Sequence, residues 1–167
     1  VMLHTTAATL YQIFGMGSSL YDFVIWFPAV IGSLTTVVMF AIVRTIGGTT
    51  AGLFASLFFA ISPILIIRGS IGWFKSEPLG LFYGLLAVYL LLSGLKSDNG
   101  KISVAKIVGA GVLLAFGIAS WGGVQFFILP IGILFLALPF LKKDNKFVMW
   151  ASIIFTSVFL LVTMSFE

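Results

Sequence analysis

The sequence predicts an all-α fold, a polytopic membrane helical bundle of about six transmembrane helices with a short interfacial helix ahead of them. Three observations predict it. Hydrophobic residues make up 60% of the 167-residue chain, Phe alone supplying 18, and the mean hydropathy is +1.21. Only 8% of residues are charged, too few to clothe a soluble domain of this length in polar surface, so the apolar surface must face lipid. The apolar runs are long enough, at about 1.5 Å per residue, to cross a hydrocarbon core of roughly 30 Å. They also lack the alternation of a barrel strand, and lipid cannot satisfy an open backbone amide, which leaves helices as the viable spans.

Taken in order, the stretch "HTTAATLYQIFGMGSSLYDF" places Leu10, Ile13 and Phe14 at helical spacing among small and polar residues, which predicts an interfacial helix over about 5–16. Ser19 or Asp22 can cap the helix that follows by accepting bonds from its open first-turn amides. Spans are predicted over about 24–43, 50–67, 78–95, 103–119, 123–141 and 147–165. The connections "RTIGGT", "RGSIGWFKSE", "LKSDNGK", "SWGG" and "KKDNK" carry the Gly, Ser, Asn or Asp that tight turns prefer, so successive helices should be antiparallel neighbours. Pro28, Pro63, Pro130 and Pro139 should bend or end helices. In "SEPLG", Ser76 is expected to cap the third span, with Glu77 and Pro78 in its first turn, where proline's missing donor is harmless. Gly52, Ser56 and Ala60, then Gly80 and Gly84, then Gly111, Ala115 and Ala119 form small-residue ridges that read as packing seams.

Sidedness follows from the basic residues. Arg44, Lys96, Lys101, Lys106, Lys142, Lys143 and Lys146 fall on one set of helix ends, and only Arg68 and Lys75 on the other, which assigns the first set to the cytoplasm. "RGSIGWFKSEPLG", residues 68–80, is then on the outer or lumenal face with Asp22, "SWGG" and Glu167, and its two cations run against the topological bias.

Several function classes are excluded. Cys is absent and His4 is the one histidine, so disulfide frameworks, Cys-rich zinc sites and thiol nucleophiles do not arise. The net charge of +4 and pI near 9.6 come from short loops between apolar runs, a topological pattern and not a nucleic-acid footprint. "GGTTAG" has no Lys in phosphate-loop position and reads as a turn. The mid-spans hold no paired acids, which argues against proton-coupled transport. The charged outer turn remains. At a helix start, Glu77 can ligate a hard divalent cation or cap the helix, and Arg68, Trp73 and Lys75 can anchor the interface.

The stretch "AGLFASLFFAISPILIIRGSIGWFKSEPLGLFYGLLAVYLLLSG" resembles the catalytic subunit family of oligosaccharyltransferase, in which an "AGL-A-ISP" helix leads to an Arg and then, seven residues on, to an Asp-x-Glu motif opening the next span. Arg68, Gly72, Phe74 and Glu77 fall in those places. "SWGG" is similar to the family's Trp-Gly-Gly in the outer turn two spans later, and "FPAVIGSLTTVVMFAIVRTIGGTTAGL" to its preceding span and turn.

The resemblance implies a fragment of the C-type glycosyltransferase membrane domain, of archaeal type and in the plasma membrane if archaeal. The lumenal or extracellular C-terminal domain is absent from this stretch, and the chain alone is expected to be inactive. The implied reaction is inverting transfer of a glycan from a lipid-linked pyrophosphate or phosphate donor to asparagine of an Asn-x-Ser/Thr sequon. By resemblance, Glu77 would hold Mn2+ or Mg2+ and act with Arg68 in catalysis, while Trp121, Gly122 and Lys75 would bind substrate. Lys75 stands where the family has the first acid, and a charged ammonium has no lone pair to give a metal. The alternatives are another lipid-phosphate-sugar-dependent membrane glycosyltransferase, or a non-enzymatic transporter or scaffold.

Overall fold

The computed structural model describes residues 2–15, 17, 19–141 and 145–166; Lys142, Lys143 and Glu167, which enter the sidedness assignment, lie outside them. Helix α1 (Met2–Phe14) precedes a long helix α2 (Leu20–Ala60) and a short helix α3 (Pro63–Arg68). Helices α4 (Ser76–Leu95) and α5 (Gly100–Ser120) follow, then a 3-10 helix (Gly122–Phe127), α6 (Ile128–Leu141) and α7 (Asn145–Met164). No strand occurs among the described residues. Five helical stretches are long and apolar enough to cross a membrane, one fewer than the six runs expected, because the 41-residue α2 continues through the expected "RTIGGT" turn.

That continuity is formal. Gly48 has φ 85° and ψ 178°, a backbone that breaks α2 into two arms and that only glycine adopts readily. The second arm runs back along the first. A Cβ on Gly52 would lie 3.0 Å from the Phe40 ring, Phe59 packs on the cluster of Val38, Ile42 and Leu85, and Gly32 faces Gly69 across the far end. The expected span 50–67 is itself interrupted. Ser62 is extended ahead of Pro63, whose ring disfavours a helical conformation in the residue before it, and α3 starts afresh there.

The packing of α1 and the start of α4 add detail, and the second corrects an expectation. Leu3 and Ala7 are the buried face of α1, packed with Phe27, Ile31 and Leu79, and Leu10 is only half-buried at the edge of that cluster. Ile13 and Phe14 are exposed, so the covered face of α1 lies one to two turns earlier than its most apolar stretch. At α4 the cap position is Lys75, not Ser76, and no side chain caps the helix there. Ser19 does cap α2, accepting from the Asp22 amide at 3.1 Å while its hydroxyl donates to Asp22 Oδ2 at 2.7 Å.

The centre of the bundle is the α4–α5 pair. Leu91, Ile107, Leu114 and Val124 are fully buried, and α7 joins this core through Val148, Ala151 and Phe155. Close approach of backbones is the device that permits it. A Cβ on Gly117 would stand 2.9 Å from Val124 and 3.3 Å from the Gly84 amide nitrogen, and one on Gly111 would stand 3.0 Å from the Phe155 carbonyl. Polar side chains stitch the same pair, with Ser103 Oγ donating to the Gly94 carbonyl at 2.8 Å and Lys106 Nζ to Ser93 Oγ at 2.6 Å.

Alternation of helix direction separates the cations. Lys96 Nζ donates to the Thr45 carbonyl beside the Gly48 corner, so Arg44, Lys96 and Lys101 share one end of the bundle. Arg68, Lys75, Glu77 and Trp121 sit at the opposite helix ends.

Candidate functional site

The site begins with why α3 stops. Gly69 follows Arg68 and its amide bonds back to the Leu65 carbonyl at 2.7 Å, and Ser70 Oγ caps the Ile67 carbonyl at 3.0 Å. Gly72 then takes φ 84°, the left-handed conformation that tightens the turn, and its amide donates to the Ile25 carbonyl on α2 at 3.0 Å. That bond pins the turn against the first arm of α2. Phe74 packs on the same arm, its ring edge-on to Phe27 at 5.5 Å. With both ends of the turn fixed, Arg68 at the end of α3 and Glu77 in the first turn of α4 face each other.

A single guanidinium nitrogen, Arg68 Nη1, donates to both carboxylate oxygens of Glu77, at 2.7 Å to Oε1 and 2.5 Å to Oε2. The indole of Trp73 gathers the cations, with the Arg68 guanidinium 5.7 Å and Lys75 Nζ 4.4 Å from its ring centre. Trp73 Nε1 is buried without a hydrogen-bond partner among the described residues. Two cations and one carboxylate give this turn a net positive charge.

Trp121 reaches the same region from the end of α5. Its backbone is extended, φ −149° and ψ 121°, which ends the helix and swings the chain into the 3-10 helix. Glycines seat the indole. A Cβ on Gly80 would lie 2.6 Å from Trp121 Cβ, and one on Gly123 would lie 2.4 Å from Trp121 Cζ2. Arg68, Glu77 and Trp121 line one cleft of about 500 Å³, whose opposite wall carries Ser33, Thr35 and Thr36 of α2 and Leu65 of α3. The hydroxyls on that wall are spent on their own helix, each donating to the carbonyl four residues back. The cleft is therefore mostly apolar with one charged mouth, a shape suited to a lipid-like body bearing a polar head.

Of the sequence-predicted site residues, Arg68, Glu77 and Trp121 meet at this cleft. Lys75 is exposed and stacked on Trp73, and Gly122 is exposed with open space where a side chain would begin; neither lines the cleft. Gly123, Gly80 and Trp73 join the site, although the sequence offers Trp73 only as an interfacial anchor. Gly80 reads in the sequence as part of a packing seam, and the doubled glycine after Trp121 is the available signal for Gly123.

The family model described as "Oligosaccharyl transferase STT3, N-terminal" matches residues 1–167. The chain belongs to the STT3 family. STT3 is a family of glycosyltransferases, and the helices described above make this member a multi-pass integral membrane chain. A curated relative, "Dolichyl-diphosphooligosaccharide--protein glycosyltransferase subunit STT3B" of Oryza sativa subsp. japonica, is 32% identical over 104 residues. That alignment covers 61% of this chain but 14% of the rice protein, so the match concerns a small part of the STT3 subunit.

STT3 resemblance implies Mn2+ or Mg2+ at Glu77, and the residues present can be tested for it. Hard divalent ions take about six oxygen ligands, several of them carboxylate or carbonyl. No group of three or more His, Asp or Glu able to hold a metal exists among the described residues, and both Glu77 oxygens already accept from Arg68. These residues do not fit a divalent site by themselves.

Proposed function

We propose that this chain is part of an oligosaccharyltransferase whose reaction centre includes the Arg68–Glu77 turn, on the outer or lumenal face of the membrane. The observation that carries the reading is the convergence of Arg68, Glu77 and Trp121, from three separate segments, on one cleft with an apolar body and a charged mouth. The donor is a glycan on a lipid pyrophosphate or phosphate, and the acceptor is the side-chain amide of asparagine in an Asn-x-Ser/Thr sequon. The amide nitrogen attacks the anomeric carbon with inversion. A C–N bond forms, the C–O bond to the lipid phosphate breaks, and the amide proton passes to a base.

Negative charge grows on the departing phosphate in that step. Arg68 offers positive charge at the mouth, with Lys75 stacked on the same Trp73 ring outside the cleft, and a guanidinium suits phosphate oxygens through paired donors. Trp121, wedged by Gly80 and Gly123, gives the cleft a flat wall for the donor near its polar head. Glu77 holds Arg68 in place and is the carboxylate this chain brings to the centre. Mn2+ or Mg2+ enters the proposal as an ion most of whose ligands come from outside the described residues.

Glu77→Gln in the full-length enzyme tests the reading, because it removes charge with hardly any change in volume. Glycan transfer to a sequon peptide is expected to fall by about 100-fold or more with the membrane fold retained. Transfer at the wild-type rate would overturn the role of Glu77.

A further inference from the structure

We propose that Trp73 is a positioning residue: its indole face holds the Arg68 guanidinium at the cleft mouth, where Nη1 pairs with Glu77 and the other donors stay open. Its consequence for glycan transfer rests on the function proposed above, but the placement of Arg68 does not. Arg68 needs such a support. It ends a six-residue helix with no buried residue, between the Ser62–Pro63 break on one side and Gly69 and Gly72 on the other. Its side chain is 44% exposed, and Nη1 alone of its nitrogens has a hydrogen-bond partner among the described residues, at 2.7 and 2.5 Å from the two Glu77 oxygens. One nitrogen fixes a point and not a plane. Held only there, the guanidinium is free to turn about Nη1 and carry its remaining donors away from the mouth.

The Trp73 ring supplies the plane. Its centre lies 5.7 Å from Arg68 Cζ, within the roughly 6 Å over which an aromatic face attracts a cation. Trp73 also belongs to the tethered part of the turn. Its amide donates to the Ser70 carbonyl at 3.0 Å, Gly72 before it is bonded to Ile25, and Phe74 after it packs on Phe27. The ring is thus carried by backbone anchored on α2, whereas Arg68 is carried by the loosely packed α3. A bilayer anchor turns its indole N–H toward water or lipid headgroups, but Trp73 Nε1 is buried and has no partner among the described residues. Phenylalanine would avoid burying that unpaired donor. Tryptophan adds the most strongly cation-attracting face, and two cations use it, with Lys75 Nζ 4.4 Å from the same ring centre.

The test reads Arg68 directly. Full-length protein in detergent is treated with phenylglyoxal, and the rate of adduct formation at Arg68 is followed by peptide mass spectrometry. Trp73→Leu, which keeps an apolar side chain but removes the aromatic face, is expected to raise that rate about two- to fivefold, and Trp73→Phe to give a smaller rise. A multiply fluorinated tryptophan at position 73 nearly preserves shape while weakening the negative ring face; it should also speed the reaction, and it serves if Trp73→Leu does not yield folded protein. An unchanged Arg68 rate in Trp73→Leu, or with the fluorinated ring if that protein alone folds, overturns the proposal, as does an equal rise in Trp73→Leu and Trp73→Phe. This readout does not depend on glycan transfer, so its failure and failure of the transferase reading are separate results. In the transfer assay Trp73→Leu should lower the rate by a similar factor and add nothing to Arg68→Gln, because its effect travels through Arg68. A further loss in the Arg68→Gln background overturns that route.

Discussion

Arg68 and Glu77 stand nine residues apart in sequence and are joined by a single nitrogen bonded to two oxygens. Both partners are partly exposed, and exposed pairs are worth about 1 kcal/mol or less to stability. The pair therefore contributes more to site geometry than to holding the bundle together. In a double-mutant cycle of Arg68→Gln and Glu77→Gln, the coupling measured by thermal unfolding should be about 1 kcal/mol or less. A coupling of several kcal/mol would make the pair a structural clamp.

Gly48 should be irreplaceable for a backbone reason. Nothing lies within 4 Å of a Cβ built there, so Gly48→Ala meets no steric contact, yet φ 85° with ψ 178° is strained for any L side chain. The expected cost is about 1–3 kcal/mol of stability, measured as a lowered unfolding temperature in detergent. A neutral result would show that the α2 arms can reorient without loss.

The two glycines after Trp121 should differ sharply. Gly123→Ala puts a methyl 2.4 Å from the indole and must displace it, whereas a methyl on Gly122 meets open space. Gly123→Ala is expected to shift the fluorescence of Trp121 and destabilise by about 1 kcal/mol, while Gly122→Ala changes stability by no more than about 0.5 kcal/mol. Equal effects at both positions would refute the seating of Trp121 by Gly123.

Gly117 tests the backbone crossing of α4 and α5. A valine there would press on the fully buried Val124 side chain and on the Gly80 and Gly84 backbone, and the two backbone contacts cannot swing away as a side-chain tip can. Gly117→Val should cost about 1–3 kcal/mol, or prevent recovery of monodisperse protein.

These variants also mark what is readable in the sequence. Helix positions follow from hydropathy and turn chemistry, and the small-residue ridges at Gly80, Gly84 and Gly111 emerge as close approaches because glycine in a span has few other uses. The break at Pro63 follows from proline's fixed geometry, but its consequence does not, since a run of apolar residues looks the same whether or not α3 restarts within it. The inward face of α1 is ambiguous in the sequence because Ile13 and Phe14 are as apolar as Leu3, and only contact with Phe27 and Leu79 decides which side is covered. At the site, Arg68 and Glu77 are visible as charges out of place. Their one-nitrogen, two-oxygen contact and the shared stacking on Trp73 depend on the Gly72 turn and its bond to Ile25, which no local pattern encodes.

The bonds from Ser103 to Gly94 and from Lys106 to Ser93 join residues only 9 and 13 positions apart, around the short connection between α4 and α5. Contacts so close in sequence form early, because little chain entropy is lost in closing them. During biogenesis the two helices are thus equipped to enter the bilayer as one hairpin, zipped from its closed end. Glu77 and Trp121 sit at the two open ends of that hairpin, so its insertion delivers both to the same membrane face in a single event.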